Sequence, residues 1–244
     1  MTRFSVFPVT GMPEIEAGDD LASLILERTE LEDGDVVVVA QKAISKIEGR
    51  IIRLDGVEPS ARAIEIAGTD GDAARRIEVI LREAKRIVRV RPPLVICETE
   101  HGFICASAGV DASNAPEPGT LVLLPRDPDG SAAHLRDELR ARSGRDVGVI
   151  VTDSFGRPWR QGTTDVAIGT AGVLVLQDLS GELDPIGYEL HATVIAVADE
   201  IAGAAQLVSG KLDRVPVTIV RGLDVRGEGR ATDIPIPPEL DLFG

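Results

Sequence analysis

The stretch from Val147 to Gly172, VGVIVTDSFGRPWRQGTTDVAIGTAG, decides the fold class. Val147 to Thr152 is a continuous apolar run with the length of a buried strand. The segment after it does not read as a helix: glycines recur from Gly156 to Gly172 and little of it has helical periodicity. Working outward, Ser131 to Arg142 reads as a helix closed by Gly144, and Asp127-Pro128-Asp129-Gly130-Ser131 as its cap rather than as a metal loop. Leu94–Cys97, Phe103–Ala106 and Thr120–Leu124 read as strands. On the other side, Leu190, Val194, Val197, Ile201, Ala204 and Val208 recur at helical spacing, predicting a long amphipathic helix from Glu189 to Val208, and Val215–Val220 is a last core strand. In the amino-terminal half, Phe4–Val9 is a strand stopped by Gly11 and Pro13. Asp19 or Asp20 caps a helix reaching Thr29, and Asp35–Ala40 is a strand buried on both faces. Helices over Ser60–Ile66 and Asp72–Lys85 precede Pro92-Pro93, the clearest break in this half and the expected junction of two subdomains near 91–93. The tail after Gly227 carries three prolines and is expected to be loosely held. Strands and helices mix without strict alternation, so the class is α+β rather than a doubly wound sheet.

The chain has 244 residues, 43% hydrophobic and 27% charged, ordinary for a globular protein able to bury a sizeable core. Aromatics make up only 3%, so the core must be built from Val, Ile, Leu and Ala, with few rings to stack bases. With 26 basic and 40 acidic residues the net charge is −14, which repels a phosphate backbone and disfavours general nucleic-acid binding. A small polyanion remains compatible where basic residues collect. The longest uncharged apolar-rich run, Leu190 to Ala198, is far short of the roughly 20 residues that span a bilayer. No apolar signal-peptide core precedes Pro8, so a cytoplasmic protein is expected. Cys97 and Cys105 flank a hairpin turn at Glu100-His101-Gly102 that sets them opposite each other. A disulfide is geometrically open, while a reducing compartment favours two buried thiols. His101, His134 and His191 have no zinc spacing.

The chain contains no Gly-x-x-x-x-Gly-Lys-Ser/Thr loop, no strand-to-helix Gly-x-Gly-x-x-Gly and no Gly-x-Ser-x-Gly elbow. Three segments carry chemistry. In Val149–Arg157 an apolar strand delivers Asp153 and Ser154 to its carboxyl end, followed by Arg157 and Arg160; hard oxygen ligands suit Mg²⁺ or Mn²⁺ and guanidiniums suit phosphate. From spacing alone an aspartate capping the next turn, with the arginines merely solvated, is the favoured reading there. In Ala108–Asn114 small residues surround Asp111, which fits close backbone approach to a ligand or a plain Asx-turn. In Ser45–Arg50, Lys46 and Arg50 follow Lys42, three cations in nine residues of an acidic chain, in what reads as a solvated polar segment. Asp199 and Glu200 point in different directions from their helix, one toward solvent.

Taken together these segments resemble the coenzyme F420-0:L-glutamate ligase family, the γ-glutamyl ligases. The resemblance runs from Phe7-Pro8-Val9-Thr10-Gly11 through Ser45–Arg50 and Ala108–Asn114 to Thr152–Arg157, Arg160, Gly162 and Ala167–Gly172. Ala198-Asp199-Glu200-Ile201-Ala202 and Arg221-Gly222-Leu223 complete it, in the family's order over nearly the whole chain. It implies a two-domain α+β fold in an intertwined homodimer, a single ligase unit over 1–244 without the nitroreductase-like second half of some bifunctional relatives. It implies a ligase that consumes GTP and needs Mg²⁺ or Mn²⁺, with K⁺ as a further ion. L-glutamate would be joined to the lactyl carboxylate of F420-0, and a second glutamate to the γ-carboxylate of the first. Position by position, the resemblance assigns Thr10, Gly11, Met12, Gln41, Lys42, Lys46, Asn114 and Gln206, Leu207, Val208, Ser209 and Gly210 to the nucleotide. It assigns Asp111, Asp153, Ser154 and Gln206 to the metals, although Gln206 stands where many relatives are expected to carry an acid. Asp111, Asp153 and Lys46 are the expected catalytic groups. The chemistry agrees: a carboxylate is a poor electrophile, so phosphorylation by GTP must precede attack by the amine, with metals and Lys46 neutralising the phosphoryl group. A metal-dependent nucleotide phosphohydrolase and a non-catalytic nucleotide-binding protein are the competing readings. The low aromatic count and the long apolar helix point to a core shared between two copies.

Overall fold

The computed structural model describes residues 3–242. Its centre is a five-stranded sheet of β1 (Ser5–Pro8), β2 (Val36–Ala40), β8 (Gly148–Arg157), β9 (Arg160–Ala171) and β12 (Val217–Arg221), in the order β1-β12-β2-β8-β9. Only β2 and β8 pair in parallel, Val36 opposite Gly148 through Ala40 opposite Thr152; every other neighbour is antiparallel. The strand period of two sorts the valines. Val37, Val39, Val149, Val151, Val217 and Ile219 face one side, covered by α1 (Leu21–Leu26), α2 (Gln41–Ile47) and α5 (Pro128–Ser143). Val36, Val38, Ile150 and Val220 face the other, covered by Ala198, Ile201 and Ala205 of α6 (Val197–Ser209). A sheet clothed on both faces explains why β2 reads as unbroken valine.

A second core cluster lies between α2 and α5 in the chain. It is built from α3 (Ala61–Ala67), α4 (Gly71–Glu83), the hairpin β4–β5–β6 (Ala84–Arg91, Leu94–Thr99, Ile104–Ala106) and the pair β3–β7 (Ile51–Arg53, Thr120–Val122). Pro92-Pro93, expected at a junction, is the turn of the β4–β5 hairpin, and Ile87, Val90, Val95 and Cys97 on either side of it pack in the same cluster. Cys97 faces Cys105 across β5 and β6, as the hairpin reading required, and both are buried free thiols.

Two expectations, the bounds of the long helix and of the amino-terminal helix, are corrected, and two elements, β9 and α2, were not anticipated. The glycine-containing stretch after Gly156 is a strand of twelve residues, β9, whose Thr163-Thr164-Asp165-Val166-Ala167-Ile168 supplies β-branched residues that outweigh the glycines. The long helix begins only at Val197: Val194–Ile195 (β11) pairs instead with Gln177–Asp178 (β10), and the inward face is Ala198, Ile201, Ala202 and Ala205. The helix α2 was not anticipated, because Ala40 offers no capping side chain and the helix is only seven residues long. The amino-terminal helix stops at Leu26 rather than Thr29, with Asp20 as its N-cap.

The tail is the third correction, and the reason is Asp129. This buried carboxylate, in the first turn of α5, accepts from the amides of Thr170 (2.8 Å) and Ala231 (2.9 Å) and from the Thr232 hydroxyl (3.1 Å). It therefore staples residues 230–232 to β9, and Ala231 is wholly buried. Gly169 makes the approach possible, since a Cβ there would lie 2.2 Å from the Pro128 carbonyl oxygen. Asp129→Ala strands two buried amides and is expected to cost about 3 kcal/mol. Urea melts with proteolysis after Gly227 check this; wild-type stability would return the tail to the loosely held state.

Candidate functional site

Because β1 and β2 are both antiparallel to β12, and β8 is parallel to β2, the strands β1, β2 and β8 run the same way. Their carboxyl ends lie together, where open α/β sheets bind ligands. The segments after them are those singled out in the sequence: Thr10-Gly11-Met12 after β1, Gln41–Lys46 after β2, and Asp153-Ser154 in β8 just beyond the level of Ala40. The loop entering β12 joins them, since the amides of Val9 and Ala40 donate to the carbonyls of Val217 and Pro216.

Asp111 arrives from the second cluster. Lys42 Nζ donates to its Oδ2 at 2.5 Å and to Ser113 Oγ at 2.9 Å, and the Ser113 amide closes an Asx-turn on Oδ1 at 2.8 Å. The Asx-turn reading of Asp111 is thus what the structure shows, with the carboxylate also engaged by Lys42. Burial alone would raise its carboxyl, but the hydrogen bonds from Lys42 and Ser113 outweigh it and hold the group at about 2. Asp153 is the opposite case. Burial pushes its carboxyl up to about 6; the Ser154 amide and Lys42 oppose the rise, and the charges of Asp111 and Asp165 add to it. It does not cap a turn, because β8 continues through Arg157. Burial also takes the Cys105 thiol up to about 12, with the Asp153 charge second.

Strand alternation sends Ser154 to the face opposite Asp153, under α6. There it donates to Asp165 Oδ1 at 2.6 Å, as Gln206 Nε2 does at 2.7 Å, while the Asp165 amide donates to Gln206 Oε1 at 3.1 Å. The expected metal residues thus form two groups, Asp111 with Asp153 and Ser154 with Gln206. Among the described residues no three His, Cys, Asp or Glu side chains form a ready-made metal cluster. The donor set nonetheless fits Mg²⁺ or Mn²⁺, which commonly take one or two carboxylates and complete their shell with water and phosphate oxygens.

The expected nucleotide residues differ in their present engagements. Lys46 is buried, not solvated, and its ammonium donates to Glu14. Gln41 is also buried and its amide donates to Ser45 Oγ and the Leu123 carbonyl, so it joins α2 to the end of β7. The Gly11 carbonyl accepts from Arg28 Nε at 2.8 Å. Asn114 is exposed at a left-handed φ of 54°, and Leu207 and Gly210 are exposed at the end of α6 beside Gln206. Arg157 and Arg160 sit at the exposed tip of the β8–β9 hairpin, Arg157 about 13 Å of strand beyond Asp153. Asp199 holds the Ala167 amide at 2.9 Å while Glu200 is exposed, as their opposed directions required. Sequence reasoning missed Asp165 and Glu14. The available signal for Asp165 was an acid inside a β-branched run able to pair with Thr152–Ser154; Glu14 carried none.

A family model described as F420-0:Gamma-glutamyl ligase matches residues 11–222. The chain is similar to the coenzyme F420:L-glutamate ligase of Methanopyrus kandleri, 48% identical over 97% of this chain and 96% of the relative. It is also similar to the proteins of that name from Archaeoglobus fulgidus, 46% identical over 99% and 96%, and Methanothermobacter thermautotrophicus, 43% identical over 98% of each.

The raised Asp153 carboxyl makes a pH prediction. A folded pKa of about 6 against an ordinary 3.8 means that ionisation disfavours the fold. The cost is absent at low pH, grows between about 4 and 6 and is full above 6. In chelator at pH 8, Asp153→Asn is expected to be more stable than wild type by about 1–2 kcal/mol, discounted for partial exposure, with the gain shrinking toward pH 4. Equal or lower stability at pH 8 contradicts the buried, unpaired carboxylate.

Proposed function

This chain belongs to the F420-0:gamma-glutamyl ligase family, and we propose that it is a coenzyme F420:L-glutamate ligase that consumes GTP. The observation that carries the reading, beyond family membership, is the Lys42–Asp111 contact at 2.5 Å. It brings two distant motif segments to the carboxyl ends of β2 and β8, beside Asp153.

The lactyl carboxylate of F420-0 attacks the γ-phosphorus of GTP; the bond to the β,γ-bridging oxygen breaks and GDP leaves. The α-amine of glutamate then attacks the acyl phosphate, forming the amide and releasing phosphate, and the same sequence on the γ-carboxylate adds a second glutamate. Asp111 with Asp153, and Ser154 with Gln206, would hold divalent ions, which would neutralise phosphate charge. Lys42 and Lys46 are the cations available to the phosphates. Each is already docked against an acid, Asp111 or Glu14, so each is oriented before a polyanion enters. Thr10–Met12, Asn114 and residues 206–210 frame the nucleotide. No enzyme nucleophile is required.

A homodimer fits the same reading, on different ground from the long helix. Leu183, Ile186, Tyr188 and Val194, exposed on the segment around β10 and β11, offer apolar surface to a second copy. No described helix is long and apolar enough to cross a membrane; a cytoplasmic setting is part of the proposal.

GDP release separates the readings. A ligase forms GDP only with F420-0 and glutamate both present; GDP from GTP alone marks a phosphohydrolase, and none under any condition marks a binding protein. Asp111→Asn and Asp153→Asn are each expected to abolish turnover, the double variant being little worse than either single one. Lys46→Met keeps the buried stem and removes the charge. It is expected to weaken GTP binding by about 1.5–3 kcal/mol with little change in melting temperature, and unaltered affinity by calorimetry would confine Lys46 to its pairing with Glu14.

A further inference from the structure

Asp165 is absent from every motif that pointed to the site, yet it holds two residues of the expected metal set. It sits directly opposite Ser154 in the β8–β9 register, on the face covered by α6. Its Oδ1 accepts from Ser154 Oγ at 2.6 Å and from Gln206 Nε2 at 2.7 Å, and Thr152 Oγ1 lies 3.4 Å from Oδ2. Its backbone amide donates to Gln206 Oε1 at 3.1 Å. One residue therefore grips both ends of the Gln206 amide and takes the only proton of the Ser154 hydroxyl.

The consequence is a matter of donors and acceptors. A serine hydroxyl has one hydrogen and two lone pairs; with the hydrogen given to a carboxylate, only lone pairs remain to face the site. An unoriented glutamine can present either NH₂ or oxygen. Here the nitrogen must face the carboxylate and the oxygen the N–H, so the oxygen keeps a fixed place and one free lone pair. Carboxylates behind a coordinating group do the same in metal sites, fixing orientation and raising donor strength.

We propose that Asp165 is a positioning residue of the ligase site: its carboxylate and amide hold Ser154 Oγ and Gln206 Oε1 as oriented acceptors for a divalent cation. This rests on the reading of the chain as a metal-dependent ligase. Gln206 is then suited to the place where an acid was expected, because the negative charge stands one residue behind it, on Asp165.

The test is Mn²⁺ binding to the full chain, read by the electron paramagnetic resonance of free Mn²⁺, with melting temperature in chelator as a control on folding. Asp165→Asn keeps the shape but turns an acceptor into a donor toward Ser154. It is expected to lower Mn²⁺ affinity at least tenfold, as is Ser154→Ala. The double variant is expected to be within about twofold of the worse single one, since the pair acts as a unit. Wild-type Mn²⁺ affinity in Asp165→Asn, with Asp153→Asn weakened, overturns the positioning role and leaves the ligase reading intact. Losses that multiply in the double variant also overturn it, because Asp165 then acts independently of Ser154. Unchanged affinity in both Asp153→Asn and Ser154→Ala removes the metal reading itself, and the proposal with it. Should Asp165→Asn fail to fold, the cycle of Ser154→Ala with Gln206→Met decides: coupling above threefold supports the shared carboxylate, and independent losses overturn it.

Discussion

Among the described residues no further strand lies beside β9, and the fold depends on how its outward amides are satisfied. A buried or half-buried N–H without a partner costs as much as a lost hydrogen bond, and an open edge invites pairing with another chain. Here three side chains stand in for the missing strand. Gln206 and Asp199 of α6 accept from the amides of Asp165 and Ala167, and Asp129 of α5 accepts from Thr170. The change from odd to even positions reflects the register shift that leaves Ile168 as an extra residue between Ala167 and Gly169. Asp199 and Gln206 are seven residues apart, two helical turns, so one face of α6 serves two amides two residues apart on the strand. The same contacts that close the edge dock α6, secure the tail through Asp129 and set Gln206 against Asp165.

At the carboxyl end of the sheet, charge is arranged rather than merely abundant. Lys42 is committed to Asp111, whose carboxyl is held at about 2 by that bond and the two from Ser113. Asp153, close enough to feel both, is instead raised to about 6 by burial. Two carboxylates in one site thus have pKa values driven apart, one by hydrogen bonds and one by burial, as functional sites commonly arrange. In a chain of net charge −14 this is local structure, not average composition, because it requires Asp111 to be carried in from the second core cluster.

The sheet was largely legible because its signal is short-range. Asp35–Ala40 reads as a strand buried on both faces and Val147–Thr152 as a strongly apolar strand, and the Cys97–Cys105 register comes from a hairpin turn. Asp111, Asp153, Ser154 and Lys42 stood out as polar residues at the ends of such runs. What failed was decided by distant partners. Helical spacing continued through Leu190 and Val194, but pairing of Val194–Ile195 with Gln177–Asp178 claimed the first two turns. Three prolines argued for a loose tail, while Asp129, about a hundred residues earlier, tied it down. Lys46 looked solvated because its burial is set by helix α2, which no cap announces. Asp165 was hidden because its importance lies wholly in what it touches across the hairpin and on α6.

Anomalous scattering from Mn²⁺ in crystals grown with MnCl₂ and GDP tests the central claim most directly. The account places a peak within about 2.5 Å of a carboxylate oxygen of Asp111 or Asp153, at the carboxyl ends of β2 and β8, with Lys42 turned toward the nucleotide phosphates. Peaks only at places away from both Asp111–Asp153 and Ser154–Gln206, or none while Asp111 keeps its hydrogen bond to Lys42 beside bound nucleotide, would contradict it.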